Sequence, residues 1–275
     1  MLTRDEIKDY FKLESSHAKK ELGQNFLCNQ KVIDGIVELI NPQKEDVLLE
    51  IGPGLGALTN DLIGKCDNFT VVEYDAKFVD YLSRAYEGQN IKIVKNNILK
   101  YKDFNANKVT GNLPYYITSD ILLFVAINFK KLDRAVFMMQ REAFKRITAK
   151  HGTKDYNVLN IVLDYTFKFK QNMIVPSTSF FPKPNVDSVV IAFNRRKDID
   201  ESLIRPLLVC TRAMFLNRRK TLFNNLNSLV RNKERSLEII AQLGYDVNCR
   251  AEELKLEDFV NLTKVLIEEK FIKVL

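Results

Sequence analysis

The chain has little that would place it in a membrane, in an oxidising compartment or around a metal. Its longest unbroken apolar run, Ile121 to Ile127, is seven residues, whereas a membrane span needs about 20. The opening Met1-Leu2-Thr3-Arg4-Asp5-Glu6 is mixed in charge and has no apolar signal core. The expectation is a soluble, cytoplasmic protein with no membrane partner. Four cysteines, Cys28, Cys66, Cys210 and Cys249, lie far apart with no Cys-x-x-Cys spacing. Neither a zinc ribbon nor a thioredoxin-type redox pair is supported, and the thiols read as ordinary reduced side chains. The two histidines, His17 and His151, have no further ligands beside them at metal spacing, so no metal is expected. No stretch is low-complexity.

What is present is enough for one large domain and an appendage: 275 residues, 46% hydrophobic and 28% charged. The charge is uneven. Lys and Arg number 42 against 35 Asp and Glu, a surplus of +7, and the segment from Arg195 to Arg235, with eleven basic and four acidic residues, holds all of it. Two clusters dominate that segment, Arg195-Arg196-Lys197 and Arg218-Arg219-Lys220. Positive charge gathered in one place is expected of a polyanion binder; a solvated helix face is the plainer reading.

The hydrophobic pattern has two regimes. Asn29 to Ile40 has apolar residues at 32, 33, 36, 37, 39 and 40, a helical spacing with Asn29 as N-cap. Strands read at 46–51, 68–73, 90–94, 108–111 and 134–139. They alternate with helices at 57–63, 75–86 and 141–149, and with one capped by Thr118 or Ser119 whose body is Ile121 to Ile127. That alternation predicts a parallel sheet covered on both faces. Asn160 to Phe169 and Val186 to Phe193 read as two more strands, an antiparallel pair closing the sheet, because nothing between them reads as a crossover helix. Past Arg195 the pattern becomes four helices, 201–217, 221–230, 234–243 and 256–270, with Gly244 ending the third. The expectation is an α/β domain over 1–197 and a small all-helical domain over 198–275.

Two elements carry chemistry. Glu50-Ile-Gly52-Pro-Gly54-Leu-Gly56-Ala57 joins a strand to a helix, and Glu73 lies 21 residues beyond Gly52 at the end of the next strand. Gly52-x-Gly54-x-x-Ala57 satisfies the dinucleotide fingerprint, and an acidic residue at position 73 suits the two hydroxyls of an adenosine ribose. NAD and S-adenosylmethionine both meet that description, and the loop alone leaves them open beside a glycine turn that binds nothing. Glu50 tilts the balance toward a cationic ligand, since a carboxylate there repels a pyrophosphate and attracts a sulfonium or an amino group. The second element is Asn112-Leu113-Pro114-Tyr115, after the short fourth strand. Asn112 offers a side-chain acceptor. Leu113 is pushed toward extended backbone by the following proline, which sets the direction of its carbonyl. Pro114 stiffens the turn, and Tyr115 offers a flat ring. Two acceptors beside an aromatic plane suit an exocyclic amine on a flat heterocycle, such as N6 of adenine. A plain turn followed by core tyrosines is the alternative.

With these, His17-Ala-Lys-Lys20, Leu22-Gly-Gln-Asn-Phe-Leu27 and Phe180-Phe-Pro-Lys-Pro-Asn-Val-Asp-Ser188 make the chain resemble the rRNA adenine N6,N6-dimethyltransferase family, from about residue 17 to the C-terminus. Phe215-Leu-Asn-Arg-Arg-Lys-Thr-Leu222 with Asn225-Leu226 resembles its small-subunit branch. The large-subunit, macrolide-resistance branch usually has Ile between the Asn and the Pro.

The resemblance implies a Rossmann-like class I methyltransferase sheet with a helical RNA-binding domain, and S-adenosylmethionine as cofactor. It implies contacts to the cofactor from Asn25, Leu27, Gly52, Glu73, Asn97 and Asn112. It makes Asn112, Leu113, Pro114, Tyr115 and Phe180 the catalytic and base-holding set. Small-subunit rRNA in a pre-small-subunit ribosomal particle is the implied partner, and a monomer the implied state. Two positions depart from the family: Asn97 stands where an Asp is usual, and Asn157 follows Tyr156 where Gly is more frequent. The competing readings are the large-subunit methyltransferase, an NAD-dependent dehydrogenase, and a non-catalytic RNA-binding assembly factor.

Overall fold

The computed structural model describes residues 2–13 and 25–273; His17 and the Leu22-Gly23-Gln24 part of the N-terminal motif lie outside them. Two compact units emerge from the backbone contacts, one of residues 1–144 and 168–195, the other of residues 145–167 and 196–275. A single cut near 197 therefore does not describe the division, because 145–167 groups with the helical segment.

In chain order the elements through the end of the sheet are α1 (Arg4–Leu13), β1 (Phe26–Leu27), α2 (Gln30–Ile40), β2 (Val47–Ile51), α3 (Thr59–Leu62), β3 (Asn68–Glu73), α4 (Ala76–Ala85), β4 (Lys92–Lys95), β5 (Lys108–Asn112), α5 (Thr118–Asn128), β6 (Arg134–Gln140), α6 (Arg141–Ile147), α7 (Val158–Thr166), β7 (Phe167–Val175), β8 (Phe180–Phe181) and β9 (Ser188–Arg195). The main sheet has seven strands in the order β4-β3-β2-β5-β6-β9-β7. The first five pair in parallel, and β9 runs antiparallel to β6. β2 and β3 are buried apolar runs, as strands covered on both faces should be. α2 turns Val32, Ile33, Ile36 and Ile40 inward, onto a core shared with Leu48, Phe69, Val71 and Val136. Asn29 stands at its N-cap, but its amide donates to Ser179 Oγ at 3.0 Å instead of capping the helix. Neither Thr118 nor Ser119 caps α5: the cap position is Ile117, and the Thr118 hydroxyl donates back to the Pro114 carbonyl at 3.0 Å.

The chain enters the sheet at β2 and builds outward in both directions from it, so the order reverses between β2 and β5. In open α/β sheets the ligand crevice lies at such a point, beyond the carboxyl ends of the strands. The two strands approach closely there. A Cβ at Gly111 would lie 2.4 Å from the Ile51 carbonyl oxygen.

The second unit contains α7 and four further helices, α8 (Ile204–Met214), α9 (Leu222–Val230), α10 (Lys233–Gln242) and α11 (Leu256–Glu268). α8 packs against α7, α9 and α11, and α10 packs on α9. Phe215 stacks on Phe259 with centroids 5.8 Å apart and meets the edge of Tyr156 at 6.1 Å. The strand expected over 160–169 is instead this α7, with β7 beginning only at Phe167. Asn157 supplies the reason. Its side chain accepts from Leu159 N–H at 2.8 Å, while Asn160 Oδ1 accepts from Asn157 N–H at 2.9 Å, a reciprocal cap that starts a helix. The residue that departs from the family pattern thus has a structural role. Among the described residues no helix is long and apolar enough to cross a membrane.

Gly111→Ala should test the close approach of β5 to β2. The obstruction is main chain, which cannot swing aside, so the variant should lose about 1–3 kcal/mol of stability, the scale of overpacking a filled interior. Denaturant unfolding of parent and variant checks it; an unchanged midpoint would mean that the strands separate without cost.

Candidate active site

A cavity of about 420 Å3 opens at the carboxyl ends of β2, β3 and β5. Asn25, Leu27, Gly52, Glu73, Asn97, Asn112 and Pro114 all line it. They come from five separate stretches of chain, 25–27, 52, 73, 97 and 112–114, so the sheet order assembles what the sequence scatters.

The glycine loop is built around carboxylates. Gly52, Gly54 and Gly56 have φ of 65°, 56° and 78°, in the region that L side chains rarely adopt. Their N–H groups all turn inward. Gly52 N–H donates to the Val72 carbonyl at 2.9 Å, Gly54 N–H to Glu73 Oε2 at 3.1 Å, and Gly56 N–H to the Pro53 carbonyl at 2.9 Å. No glycine N–H is left for a phosphate, which weakens the case for dinucleotide binding at this loop. Glu73 Oε1 also accepts from the N–H groups of Tyr74 and Asp75, at 2.7 and 2.8 Å. Burial raises the pKa of Glu73, against the pull of these main-chain bonds. Glu50 lies deeper, with Oε2 accepting from the Thr59 hydroxyl at 2.7 Å. Burial, reinforced by the nearby Glu73 charge, pushes its pKa up to about 8. Two buried carboxyls, with no Lys or Arg among the described residues that line the cavity, suit a positively charged ligand.

At the end of β5, the Asn112 amide is anchored on one side only. Its Nδ2 donates to the Asn25 carbonyl at 3.1 Å, while Oδ1 is buried without a partner among the described residues. An unsatisfied buried acceptor is expensive, on the order of 1–3 kcal/mol, unless something occupies it in the working state. Asn97 does two things: it lines the cavity, and its Oδ1 caps the turn of residues 98–100 by accepting from Leu99 N–H at 2.9 Å. An amide oxygen has a second lone pair left for a ligand.

Three residues of the sequence-derived set are not in the cavity wall. Leu113 is buried, with its N–H on the Met138 carbonyl at 2.9 Å. Phe180 is packed in the main core beside Leu27 and Val175. Tyr115 is partly buried with its hydroxyl enclosed near that of Ser188, and neither hydroxyl has a hydrogen-bond partner among the described residues. The tyrosine that lines the cavity is the next one, Tyr116, with 57% of its surface exposed. Sequence reasoning also passed over Leu2 and Ile7, which line the cavity from the N-terminal segment. The spacing of Ile7, Tyr10 and Phe11, one helical face, was the available signal.

The basic segment is less uniform than its composition. Arg195 is buried, and its guanidinium donates to the Ala126 carbonyl at 3.1 Å, so it is part of the sheet unit's interior and not of a charged surface. Arg196 donates to the Asp164 carbonyl at 3.1 Å. Arg218 pairs with Glu252 at 2.7 Å and lies over the Phe215 ring at 5.7 Å. Arg219 and Lys220 are exposed.

The strand order, with its antiparallel β9 inserted beside β6, and the carboxylate-built glycine loop define a class I methyltransferase fold. The chain belongs to the ribosomal RNA adenine dimethylase family, which matches residues 15–268. It is 37% identical to the ribosomal RNA small subunit methyltransferase A of Malacoplasma penetrans, over 95% of this chain and 97% of that protein. Its identity to the protein of the same name from Francisella tularensis subsp. novicida is 38%, over 90% and 97% of the two chains. Among solved structures it superimposes on a dimethyladenosine transferase from Plasmodium falciparum with a TM-score of 0.77, at 25% identity, covering 91% of this chain and all of that one.

The raised pKa of Glu50 makes stability depend on pH. The folded state holds a proton that the unfolded chain, near its ordinary 4.5, gives up. The contribution is therefore full below pH 4.5 and is lost as pH rises toward 8. Glu50→Gln, which cannot ionise, should remove this fall, worth at most about 1.4 kcal/mol per pH unit. Unfolding free energies of both proteins at pH 5 and pH 8 decide the matter; parallel pH profiles would show that Glu50 is ionised throughout.

Proposed function

We propose that this protein transfers methyl groups from S-adenosylmethionine to N6 of two adjacent adenosines near the 3′ end of small-subunit rRNA, giving N6,N6-dimethyladenosine during small-subunit biogenesis. In this reading it acts as a cytoplasmic monomer on a pre-small-subunit particle. The observation that carries it is Asn112 Oδ1: a buried acceptor without a partner among the described residues, its amide turned by the Asn25 carbonyl, at the carboxyl end of β5. Family membership and the names of the relatives support the substrate.

The residues present fit the cofactor. Glu73 would accept a ribose hydroxyl on the free lone pair of Oε2, Asn97 would meet the adenine amine with its remaining lone pair, and Asn25, Leu27 and Gly52 would complete the wall. Glu50 lies beyond the loop as a carboxyl that ionises when a cation enters. When bound, S-adenosylmethionine supplies a methyl group activated by its sulfonium. The protein's task is then to place a weak nucleophile, since the amine's lone pair is delocalised into the adenine ring. Asn112 Oδ1 and the Leu113 carbonyl accept the two N–H bonds of that amine. They hold the nitrogen as it becomes tetrahedral and positive, so they bind the transition state more strongly than the ground state. Pro114, tied through its carbonyl to the Thr118 hydroxyl, fixes the turn that aims them. Orientation does most of the work, as it does wherever a two-body reaction is made one-body. No strong base is required, because the ammonium product sheds its proton readily. The adenine must be unpaired or flipped out to reach the site. The resemblance would have Tyr115 and Phe180 cover its faces, but Phe180 is packed in the core and Tyr115 lies outside the cavity wall, so the ring placed to stack on the base is that of Tyr116, exposed at the cavity.

The deciding experiment is transfer of labelled methyl from S-adenosylmethionine to undermethylated small subunits, with the product nucleoside identified. Dimethyladenosine in small-subunit RNA is expected; labelling of large-subunit RNA alone would favour the macrolide-resistance reading. Asn112→Ala should slow single-turnover transfer by about two orders of magnitude, the scale for losing one transition-state hydrogen bond, with RNA affinity unchanged. A rate near that of the parent would remove Asn112 from the chemistry.

The exposed pair Arg219 and Lys220 is assigned to phosphate contacts, with Arg218 held beside them by Glu252. Replacing Arg219 and Lys220 by Ala should weaken RNA binding and reduce the slope of log affinity against log salt by about 1–2, since each phosphate contact contributes about 0.7–0.9. Cofactor affinity should not move. An unaltered slope would identify the pair as a solvated surface.

A further inference from the structure

The helix α1 precedes the part of the chain that the family matches, which begins at residue 15, yet Leu2 and Ile7 line the same cavity as Gly52, Glu73 and Asn112. Ile7 is only 1% exposed. The helix has one apolar face. Tyr10 meets Tyr81 and Phe78 with centroids 5.2 and 6.3 Å away, and Phe11 meets Phe26 at 5.6 Å. Phe26 in turn meets Phe78 at 5.6 Å, and its ring approaches to 3.3 Å of where a Cβ on Gly54 would be. α1 therefore closes an aromatic layer that reaches the glycine loop through Phe26, the residue between Asn25 and Leu27. The Arg4 guanidinium donates to the Thr178 carbonyl, which ties the first turn to the loop before β8. The outward face is charged, with Asp5 and Lys8 paired at 2.8 Å.

We propose that α1 is part of the cofactor site: Leu2 and Ile7 form an apolar wall against which the uncharged part of S-adenosylmethionine packs, and the helix retains the cofactor by slowing its release. The inference rests on the reading of this cavity as the cofactor site. A helix with no charged group facing the cavity can add apolar contact and exclude water there, and adds nothing to recognition of the sulfonium. Its contribution is thus to residence time and affinity, shared by substrate and product forms of the cofactor. It does not extend to methyl transfer from the bound state.

The test uses the full chain and S-adenosylhomocysteine, with Kd from calorimetric titration and the dissociation rate from stopped-flow displacement. Leu2→Ser and Ile7→Ala should each raise Kd about four- to fifteenfold, the scale of losing one to two methylenes of burial against the cofactor, with the dissociation rate rising in proportion. The KM for S-adenosylmethionine should rise in the same proportion, while RNA affinity stays at its parental value. Ile7→Ala also lowers the unfolding midpoint without cofactor, because Ile7 is core; Leu2 is only partly buried, so Leu2→Ser decides if Ile7→Ala folds poorly. Parental Kd and dissociation rate in Leu2→Ser, with the parent binding normally, would overturn the role of α1 and leave the cavity reading intact. Failure of the parent itself to bind S-adenosylhomocysteine would overturn the cavity reading, and the inference with it.

Discussion

The carboxylate of Glu73 accepts three main-chain N–H bonds at once, one from the glycine loop after β2 and two from the turn after β3. A loop with three glycines at positive φ leaves its N–H groups pointing where ordinary secondary structure cannot satisfy them, and a buried unpaired N–H is costly. Glu73 satisfies one, and the Val72 and Pro53 carbonyls satisfy the others. The consequence is chemical as well as structural. A glycine loop whose donors point at a ligand binds phosphate; this one has spent its donors on itself and offers carboxyl oxygen instead. The same glycine spacing thus serves opposite charges, depending on which group the N–H bonds find.

The second constraint is the narrow gap between β2 and β5. Gly111 allows the strands to close, and Asn112 follows at the point where β5 leaves the sheet. Its side chain is held by the carbonyl of Asn25, the residue before β1, so two distant stretches of chain meet in one amide. Holding the donor end fixes where the acceptor end lies. An acceptor kept dry and unpaired is poised for a partner that brings its own N–H groups, and the stability it forgoes in the empty site is recovered on binding.

Charge in the helical unit is divided between structure and surface. Arg218 is drawn into an ion pair and an aromatic contact, and Arg196 onto the end of α7, while Arg219 and Lys220 stay in water. A surplus counted from composition therefore overstates the charge available to a polyanion. The expected cluster at 195–197 is further reduced because Arg195, the last residue of β9, is enclosed.

Local pattern was sufficient wherever one face of a helix is wet, a short apolar run is bounded by turn residues, or a turn has its own chemistry. The alternation of β2 through β6 with helices, the glycine loop with Glu73, the Asn112-Leu113-Pro114-Tyr115 turn and four of the helices in the second unit were legible for that reason. α7 was not. Leu159, Ile161, Val162, Leu163 and Tyr165 are all buried, so no solvent face marks a helical period, and β-branched and aromatic residues in a row imitate a strand. What decided it was the reciprocal cap of Asn157 and Asn160 together with packing against α8 and α11. Likewise the sequence determined that two tyrosines follow Pro114, and only the tertiary structure decided that Tyr116 meets the cavity while Tyr115 turns inward. It alone decided that α1 walls the site and that Phe180 joins the core. Direction and burial of a side chain depend on what distant segments bring to it, and no window of neighbouring residues contains that information.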